Sequence, residues 1–347
     1  VTISDQFSEM NINTTYDSTF YEKDFLEDTL LEQPLRDYSR NILSKSGGGS
    51  LSKLNPWYVT GFTDAEGCFS INTTTTVTDK LKVGLQYKVT QLASSEEVLH
   101  DLVDYFKTGK VHIDNRSTGT LKYQVQDLVS IRECILPHFQ EYPLQTSKAL
   151  DYKDWSKAVD LLKNKWHYQP EGKKLLFDIK ESMNNARPKA ERWNYLNDLR
   201  YIIKLHPNWV QGFIDGEGSF QFRLAEQISR NSHYIAANPT LEIAQSNHDV
   251  VILEAMKNFL ESGYVKPKFD TTSMSETLDS RSVSRYVTNN EGKVTAFLDN
   301  YPLKTQKQLD YLDWKKLVDM KNEGLHKTEE GREAMEKIKS MMNRYRK

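Results

Sequence analysis

Two stretches of this chain share one order of apolar and polar positions. From Trp57 to Phe62, and again from Trp209 to Ile214, apolar residues crowd together as in a buried helix, and each run leads into Asp-x-Glu-Gly before an aromatic. Alternation follows: Leu81, Val83, Leu85, Tyr87 and Val89 are interleaved with Lys82, Gln86, Lys88 and Thr90, the period of two of a half-buried strand. Ser94-Ser95-Glu96-Glu97 reads as a capping box, after which Val98, Leu102 and Phe106 recur at helical spacing; Asn247 begins the equivalent helix in the second stretch. Two more strands are predicted in each (Lys110 to Arg116 and Leu121 to Gln126; Tyr264 to Asp270 and Arg281 to Thr288), and helices close each stretch. The predicted unit is α-β-β-α-β-β-α, an α+β fold with helices on one face of an antiparallel sheet.

The two stretches are copies. Gly61-Phe-Thr-Asp-Ala-Glu-Gly-Cys-Phe69 returns 151 residues later as Gly212-Phe-Ile-Asp-Gly-Glu-Gly-Ser-Phe220. Pro56 matches Pro207, Val89-Thr90-Gln91 matches Ile243-Ala244-Gln245, and Tyr142-Pro143-Leu144 matches Tyr301-Pro302-Leu303. Further on, Asp151-Tyr152, Trp155 and Met183-Asn184 match Asp310-Tyr311, Trp314 and Met342-Asn343. The offset grows from 151 to 154 to 159, so the second copy has gained residues between strands, where hairpin loops tolerate insertion. The expected divisions are an acidic extension with a Gly/Ser linker (1–54), a first repeat (55–187), a link (188–205) and a second repeat (206–347).

Charge changes this picture only when divided along the chain. Residues 1–50 carry nine acids against four bases, a net of −5, which leaves +3 for the rest of a chain whose total is −2. Phosphate binding would have to come from local placement rather than bulk charge. No run approaches the ~18 apolar residues of a membrane span, so no membrane partner is expected, and no targeting signal is visible. Two cysteines, Cys68 and Cys134, cannot furnish a four-thiolate metal site, and the eight histidines show no H-x-x-x-H grouping.

The chemistry is expected at the end of the apolar helix. Helix C-termini carry partial negative charge and disfavour acids, yet Asp64 and Glu66, and Asp215 and Glu217, sit there, each pair before a glycine able to serve as C′. Carboxylates and free carbonyls so placed would repel unless a cation lay among them, and oxygen ligands of this kind suit Mg²⁺. Gly61 and Gly212, with Ala65 and Gly216 four residues on, would let the two helices approach closely and merge the acidic clusters into one two-metal site. Glu291-Gly292-Lys293 also has an E-x-K pattern but is expected in a loop, and Glu171-Gly172 and Glu330-Gly331 are read as turn chemistry.

With these residues, the chain resembles the two-motif LAGLIDADG homing endonucleases, single chains encoded in organellar introns, over about residues 55–347. The motifs are Val59-Thr-Gly-Phe-Thr-Asp-Ala-Glu-Gly67 and Val210-Gln-Gly-Phe-Ile-Asp-Gly-Glu-Gly218. The resemblance implies two four-stranded sheets forming a saddle over DNA, and cleavage of both strands across the minor groove. It makes Glu66 and Glu217 the metal-binding carboxylates, with Ala65 and Gly216 beside them, and two or more Mg²⁺ the cofactor, for which Mn²⁺ or Ca²⁺ can substitute. Gln91 and Gln245, which keep the parity of the apolar residues before them, would position water; Lys148 and Lys307 would be the basic residues of the site. The implied state is a monomer of mitochondrial (organellar) origin acting on double-stranded DNA. A maturase that binds intron RNA on the same scaffold, alone or in addition, is the alternative; retention of both glutamates favours cleavage.

The reading surface would be the sheet faces turned from the helices, since two-stranded ribbons fit the major groove. By parity these present Ser70, Asn72, Thr74, Lys82, Gln86 and Lys88 in the first repeat, and Gln221, Arg223, Thr240, Glu242, Lys266 and Lys268 in the second. Lys122, Gln124, Arg281 and Arg285 join them from outer strands whose parity is ambiguous. Two half-sites of a helical turn each imply an asymmetric target of roughly 20 bp.

Overall fold

The computed structural model describes residues 54–75, 81–229, 232–267 and 283–343. Helix α1 (Pro56–Glu66) starts with proline at its first position, under an Asn55 side chain that accepts from the Trp57 N–H at 2.9 Å. It runs directly into β1 (Gly67–Thr75), followed by β2 (Leu81–Leu92), α2 (Glu96–Phe106), β3 (Lys110–Asn115), β4 (Thr120–Val125), α3 (Leu136–Glu141), α4 (Lys148–Lys163) and α5 (Pro170–Ser182). A connecting helix, α6 (Lys189–Leu199), leads to the second unit: α7 (Pro207–Glu217), β5 (Gly218–Ser229), β6 (Ser232–Ser246), α8 (Val250–Leu260), β7 (Tyr264–Lys266), β8 (Val283–Thr288), α9 (Glu291–Asn300), α10 (Lys307–Asn322) and α11 (Glu329–Lys339).

Each unit has a four-stranded antiparallel sheet, in the orders β1-β2-β4-β3 and β5-β6-β8-β7. The predicted α-β-β-α-β-β-α order and α+β class are what the structure shows. In the first unit Phe69, Leu85, Tyr87, Val89 and Tyr123 line one sheet face and are buried under α2, α3 and α4; in the second, Phe220, Leu241, Ile243 and Tyr286 do the same. The repeated polar residues have repeated structural work. Trp155 and Trp314 donate through Nε1 to the carbonyls of Ser70 and Gln221, and the Asn184 and Asn343 side chains donate to those of Phe69 and Phe220. Asp151 and Asp310 accept from the Asn184 and Asn343 N–H, each at 2.9 Å. In the first unit Asp151 also pairs with Arg187 and Arg192, at 2.9 and 2.8 Å, which ties α6 to α4.

Three local expectations need correction. The cap of α2 is not the one read from Ser94–Glu97: the helix begins at Glu96 with Ser95 as its N-cap residue, whose side chain makes no cap hydrogen bond and whose hydroxyl instead accepts from the Gln306 N–H of the other repeat at 3.0 Å. The glycines after the motif helices are not left-handed caps, for Gly67 (φ −80°) and Gly218 (φ −68°) are extended. They are needed because a Cβ would lie 2.7 Å from the carbonyl oxygen of Thr63 or of Ile214, one turn back, where the helix passes into the strand without a loop. Glu291 and Lys293 lie not in a loop but in the first turn of α9, where Glu291 pairs with Lys321 at 2.7 Å.

A buried histidine supports the turn before α4. The Thr60 hydroxyl spends its proton on the Tyr142 carbonyl and so accepts from His138 Nε2 at 3.2 Å, which leaves Nδ1 to accept from the Tyr105 hydroxyl at 3.0 Å. Burial pushes this imidazole down to about 3 from its ordinary 6.5. Above pH 6.5 it is neutral folded or unfolded; below that the unfolded chain takes up a proton the folded one refuses until about pH 3. Stability is therefore expected to fall on acidification by up to ~1.4 kcal/mol per pH unit through this window. Urea denaturation of wild type and His138→Asn from about pH 8 to about pH 4 checks it, the variant showing the shallower slope.

Candidate active site

The two motif helices pack against each other at backbone distance. A Cβ on Gly61 would lie 2.1 Å from the Trp209 carbonyl oxygen, and one on Gly212 2.3 Å from that of Tyr58. At the other end a Cβ on Gly216 would sit 2.3 Å from the Ala65 Cβ and 3.1 Å from the Glu66 Cγ. Small residues at these positions thus bring Glu66 of α1 and Glu217 of α7 out beside one another.

Around the two glutamates the structure gathers every predicted catalytic residue. The Gln91 side chain hydrogen-bonds to Glu66, and that of Gln245 to Glu217, from the last residues of β2 and β6 that face the core. Lys148 Nζ, at the first turn of α4, donates to the carbonyls of Thr63 (2.8 Å) and Gly67 (2.6 Å); Lys307 Nζ, at the first turn of α10, donates to those of Ile214 (3.3 Å) and Gly216 (2.6 Å). Burial raises the Glu66 carboxyl above the ordinary carboxylate range, an effect the charges of Lys307 and Lys148 oppose. Glu217 is pushed up to about 7, by burial first and the charge of Glu66 second. Burial also lowers both lysine ammonium groups. Two acids and two bases so disposed form a concentrated, partly desolvated charge cluster at the C-terminal ends of the two motif helices.

Asp64 and Asp215 adjoin that cluster, close enough for their charges to act on Lys148 and Lys307, but their carboxylates are taken up by protein donors. Each is buried and serves as a latch. Asp64 accepts from the N–H of Gln145 (2.8 Å) and Thr146 (3.2 Å), from the Thr146 hydroxyl and, across the repeat boundary, from Trp209 Nε1 (2.8 Å). Asp215 accepts from the N–H of Lys304 (2.6 Å) and Thr305 (3.2 Å), the Thr305 hydroxyl and, again across the boundary, Tyr58 Oη (2.7 Å). Each aspartate thereby fixes the turn that delivers Lys148 or Lys307. These four donor side chains were missed in the sequence; the signal available was Thr-x-Lys repeated after both Pro-Leu pairs. Asp64→Ala or Asp215→Ala leaves several buried donors unpaired and is expected to cost about 3 kcal/mol or more, read as a lower urea midpoint; asparagine, which keeps one acceptor, costs less.

Strand pairing decides the faces of the outer strands. Lys122 lies opposite Thr90, Gln124 opposite Lys88 and Arg285 opposite Ala244, so all three belong to the faces turned from the core. Ser70, Asn72, Thr74, Lys82, Gln86 and Lys88 share the first such face; Gln221, Arg223, Thr240, Glu242 and Lys266 share the second. Gln86 is only 8 % exposed, beneath a Ser70 hydroxyl that donates to it at 3.4 Å. Lys122 pairs with Asp114 at 3.2 Å. Lys268 and Arg281 lie outside the described residues.

A family model described as LAGLIDADG endonuclease matches residues 59–159 and 210–318, once over each repeat. The chain belongs to the LAGLIDADG endonuclease family. It is similar to the probable intron-encoded endonuclease 3 of Neurospora crassa, 27% identical over 294 residues that cover 81% of this chain and 53% of that protein, so it spans about half of that relative's length. The intron-encoded endonuclease Cox1-I1b of Schizosaccharomyces pombe, a probable one, is 26% identical over 303 residues, 86% of this chain and 72% of that one. Among solved structures, the LAGLIDADG homing endonuclease I-SmaMI bound to cleaved DNA superposes with a TM-score of 0.72 at 25% identity, over 86% of this chain and 100% of that chain. The same enzyme bound to an uncleaved DNA target in the presence of calcium ions gives 0.69 at 25% identity, over 84% and 99%. For this LAGLIDADG protein the two motif matches coincide with the two pseudo-symmetric units of the fold, and each contains one of the paired glutamates.

Proposed function

We propose that this chain is a site-specific DNA endonuclease that binds a long asymmetric duplex on its two open sheet faces and cuts both strands across the minor groove. The observation that carries this is the meeting of Glu66 and Glu217 at one end of a helix pair, each with its own glutamine and lysine. One chain supplies both carboxylates, so the active species is a monomer.

The donor set fits divalent metal. Each lysine gives two of its three ammonium protons to backbone carbonyls, and although both lysine charges pull the two carboxyls down, burial and, at Glu217, the charge of Glu66 keep them raised, the arrangement a hard cation relieves. Glu66 and Glu217 would hold Mg²⁺ together with Ala65 and Gly216, which lie in close contact; the Gly216 carbonyl accepts from Lys307 and keeps a second lone pair. When bound, the metal would supply Lewis acidity toward the scissile phosphates and an acidified water. Gln91 and Gln245 would orient that water and the carboxylates, and Lys148 and Lys307, within the same cluster, would offset charge developing on phosphate. Named relatives are intron-encoded, which points to an organellar host gene and to its intronless insertion site as the target.

The test is incubation with Mg²⁺ and duplex DNA spanning that insertion site, with a duplex carrying the intron as control. Cleavage of the first and not of the second is expected; no cleavage of either would overturn the proposal.

A further inference from the structure

On the open face of the second sheet, Arg285 and Glu242 form an ion pair, Nε to Oε1 at 2.7 Å. Register places Arg285 directly opposite Ala244 on β6 and opposite Lys266 on β7, with Glu242 one pleat further along β6. The arginine side chain is 50% exposed and the glutamate 24%, so the carboxylate is the better covered partner and the guanidinium the more accessible one. A carboxylate at Nε leaves Nη1 and Nη2 as the contact edge. Ala244 puts no polar group beside them, and Lys266, whose Nζ lies 4.9 Å above the Tyr264 ring, leans along its own strand.

The first sheet is built differently at the same two positions. Lys88 occupies the place of Glu242, and Lys122, opposite Thr90, the place of Arg285, opposite Ala244. A lysine ammonium is a mobile point charge, whereas arginine presents a planar fork that a neighbouring carboxylate can hold in one orientation. The base edge that matches two parallel donors in the major groove is that of guanine, through O6 and N7.

Resting on the reading that these faces bind duplex DNA, we propose that Arg285 reads a guanine in the half-site covered by the second repeat, and that Glu242 is its positioning residue rather than a base contact. The first sheet holds no arginine fork at the pseudo-symmetric position, where Lys122 is paired with Asp114, and makes no such demand at that base pair. Specificity at this point of the target is therefore one-sided.

The experiment uses the duplex spanning the host gene's insertion site, with each base pair replaced in turn, and measures binding and cleavage by wild type, Arg285→Ala, Arg285→Lys and Glu242→Gln. Wild type is expected to require a G·C pair at one position of that half-site, where replacement costs roughly ten- to a hundredfold. Arg285→Ala erases that requirement and no other, and Arg285→Lys, which keeps a donor but not the planar fork, weakens it; Glu242→Gln weakens it at the same position while leaving the thermal midpoint and the rest of the profile unchanged. The proposal is overturned if wild type cuts the site but Arg285→Ala leaves every base preference intact, or weakens all sequences equally as a phosphate contact would. It is likewise overturned if Glu242→Gln moves a preference at a different base pair. If wild type cuts no duplex of the series, the endonuclease reading itself fails.

Discussion

Glu66→Gln and Glu217→Gln are each expected to reduce double-strand cleavage by roughly 10³-fold or more while leaving target binding within a few-fold of wild type. If the two glutamates hold metal as proposed, removal of one carboxylate forfeits several kcal/mol of charge stabilisation, and each ~1.4 kcal/mol is a factor of ten in rate. Binding is spared because neither glutamate lies on an open sheet face; both end the helices between the repeats. Folding is spared too, since each variant removes one of two buried acids that raise one another's energy, Glu66 being a named cause of the high Glu217 pKa. Gel-shift and cleavage assays on the same preparations, with thermal melts, separate the three effects. Undiminished cutting by either variant would remove that glutamate from the mechanism.

Gly61→Ala and Gly212→Ala are expected to be strongly destabilising single-methyl changes at the contact between the two motif helices. The added carbon would meet backbone, at 2.1 and 2.3 Å, and backbone cannot rotate away as a flexible side chain can. The helices must separate, which loosens both hydrophobic cores where they meet and pulls Glu66 from Glu217. Overpacking typically costs 1–3 kcal/mol; with main chain as the obstacle, about 3 kcal/mol or more is expected, a fall of about 10 °C in midpoint for a domain of this size. Gly84→Ala is the control: its Cβ would meet only the Asn72 Cβ at 3.9 Å, so its midpoint should stay within about 2 °C of wild type. Cleavage should fall with stability in the first pair and survive in the control. A Gly61→Ala protein as stable and active as wild type would mean that the helices do not pack as described.

Much of the site was legible because duplication made it so. A single Asp-x-Glu-Gly is an unremarkable helix end; its recurrence, with Gln91 and Gln245 where an apolar residue should continue a strand, singled out residues that the fold brings together. The aspartates of the same motif were legible only as acids. Their partners, Trp209 for Asp64 and Tyr58 for Asp215, are 145 and 157 residues away, a distance over which sequence periodicity carries no information. Ser95 misled for the same reason: its local pattern is that of a cap, and a long-range N–H from Gln306 claimed the hydroxyl. The glycines after each motif were expected for positive φ and proved to be required for close approach, a difference that no residue type can reveal.

The sequence by itself determined the two units, their strand and helix order, and the pairing of equivalent residues between them, because alternation and helical spacing are local properties and a repeat is visible without a third dimension. It also determined which sheet face of the inner strands is polar. Only the tertiary structure decided which acids meet between the repeats and which are taken up by buried donors. It also turned Lys122, Gln124 and Arg285 to the open face and joined Glu242 to Arg285. Those outcomes rest on hydrogen bonds and register between segments far apart in the chain, and the free energy of a carboxylate depends on the donors around it rather than on the residues beside it in sequence.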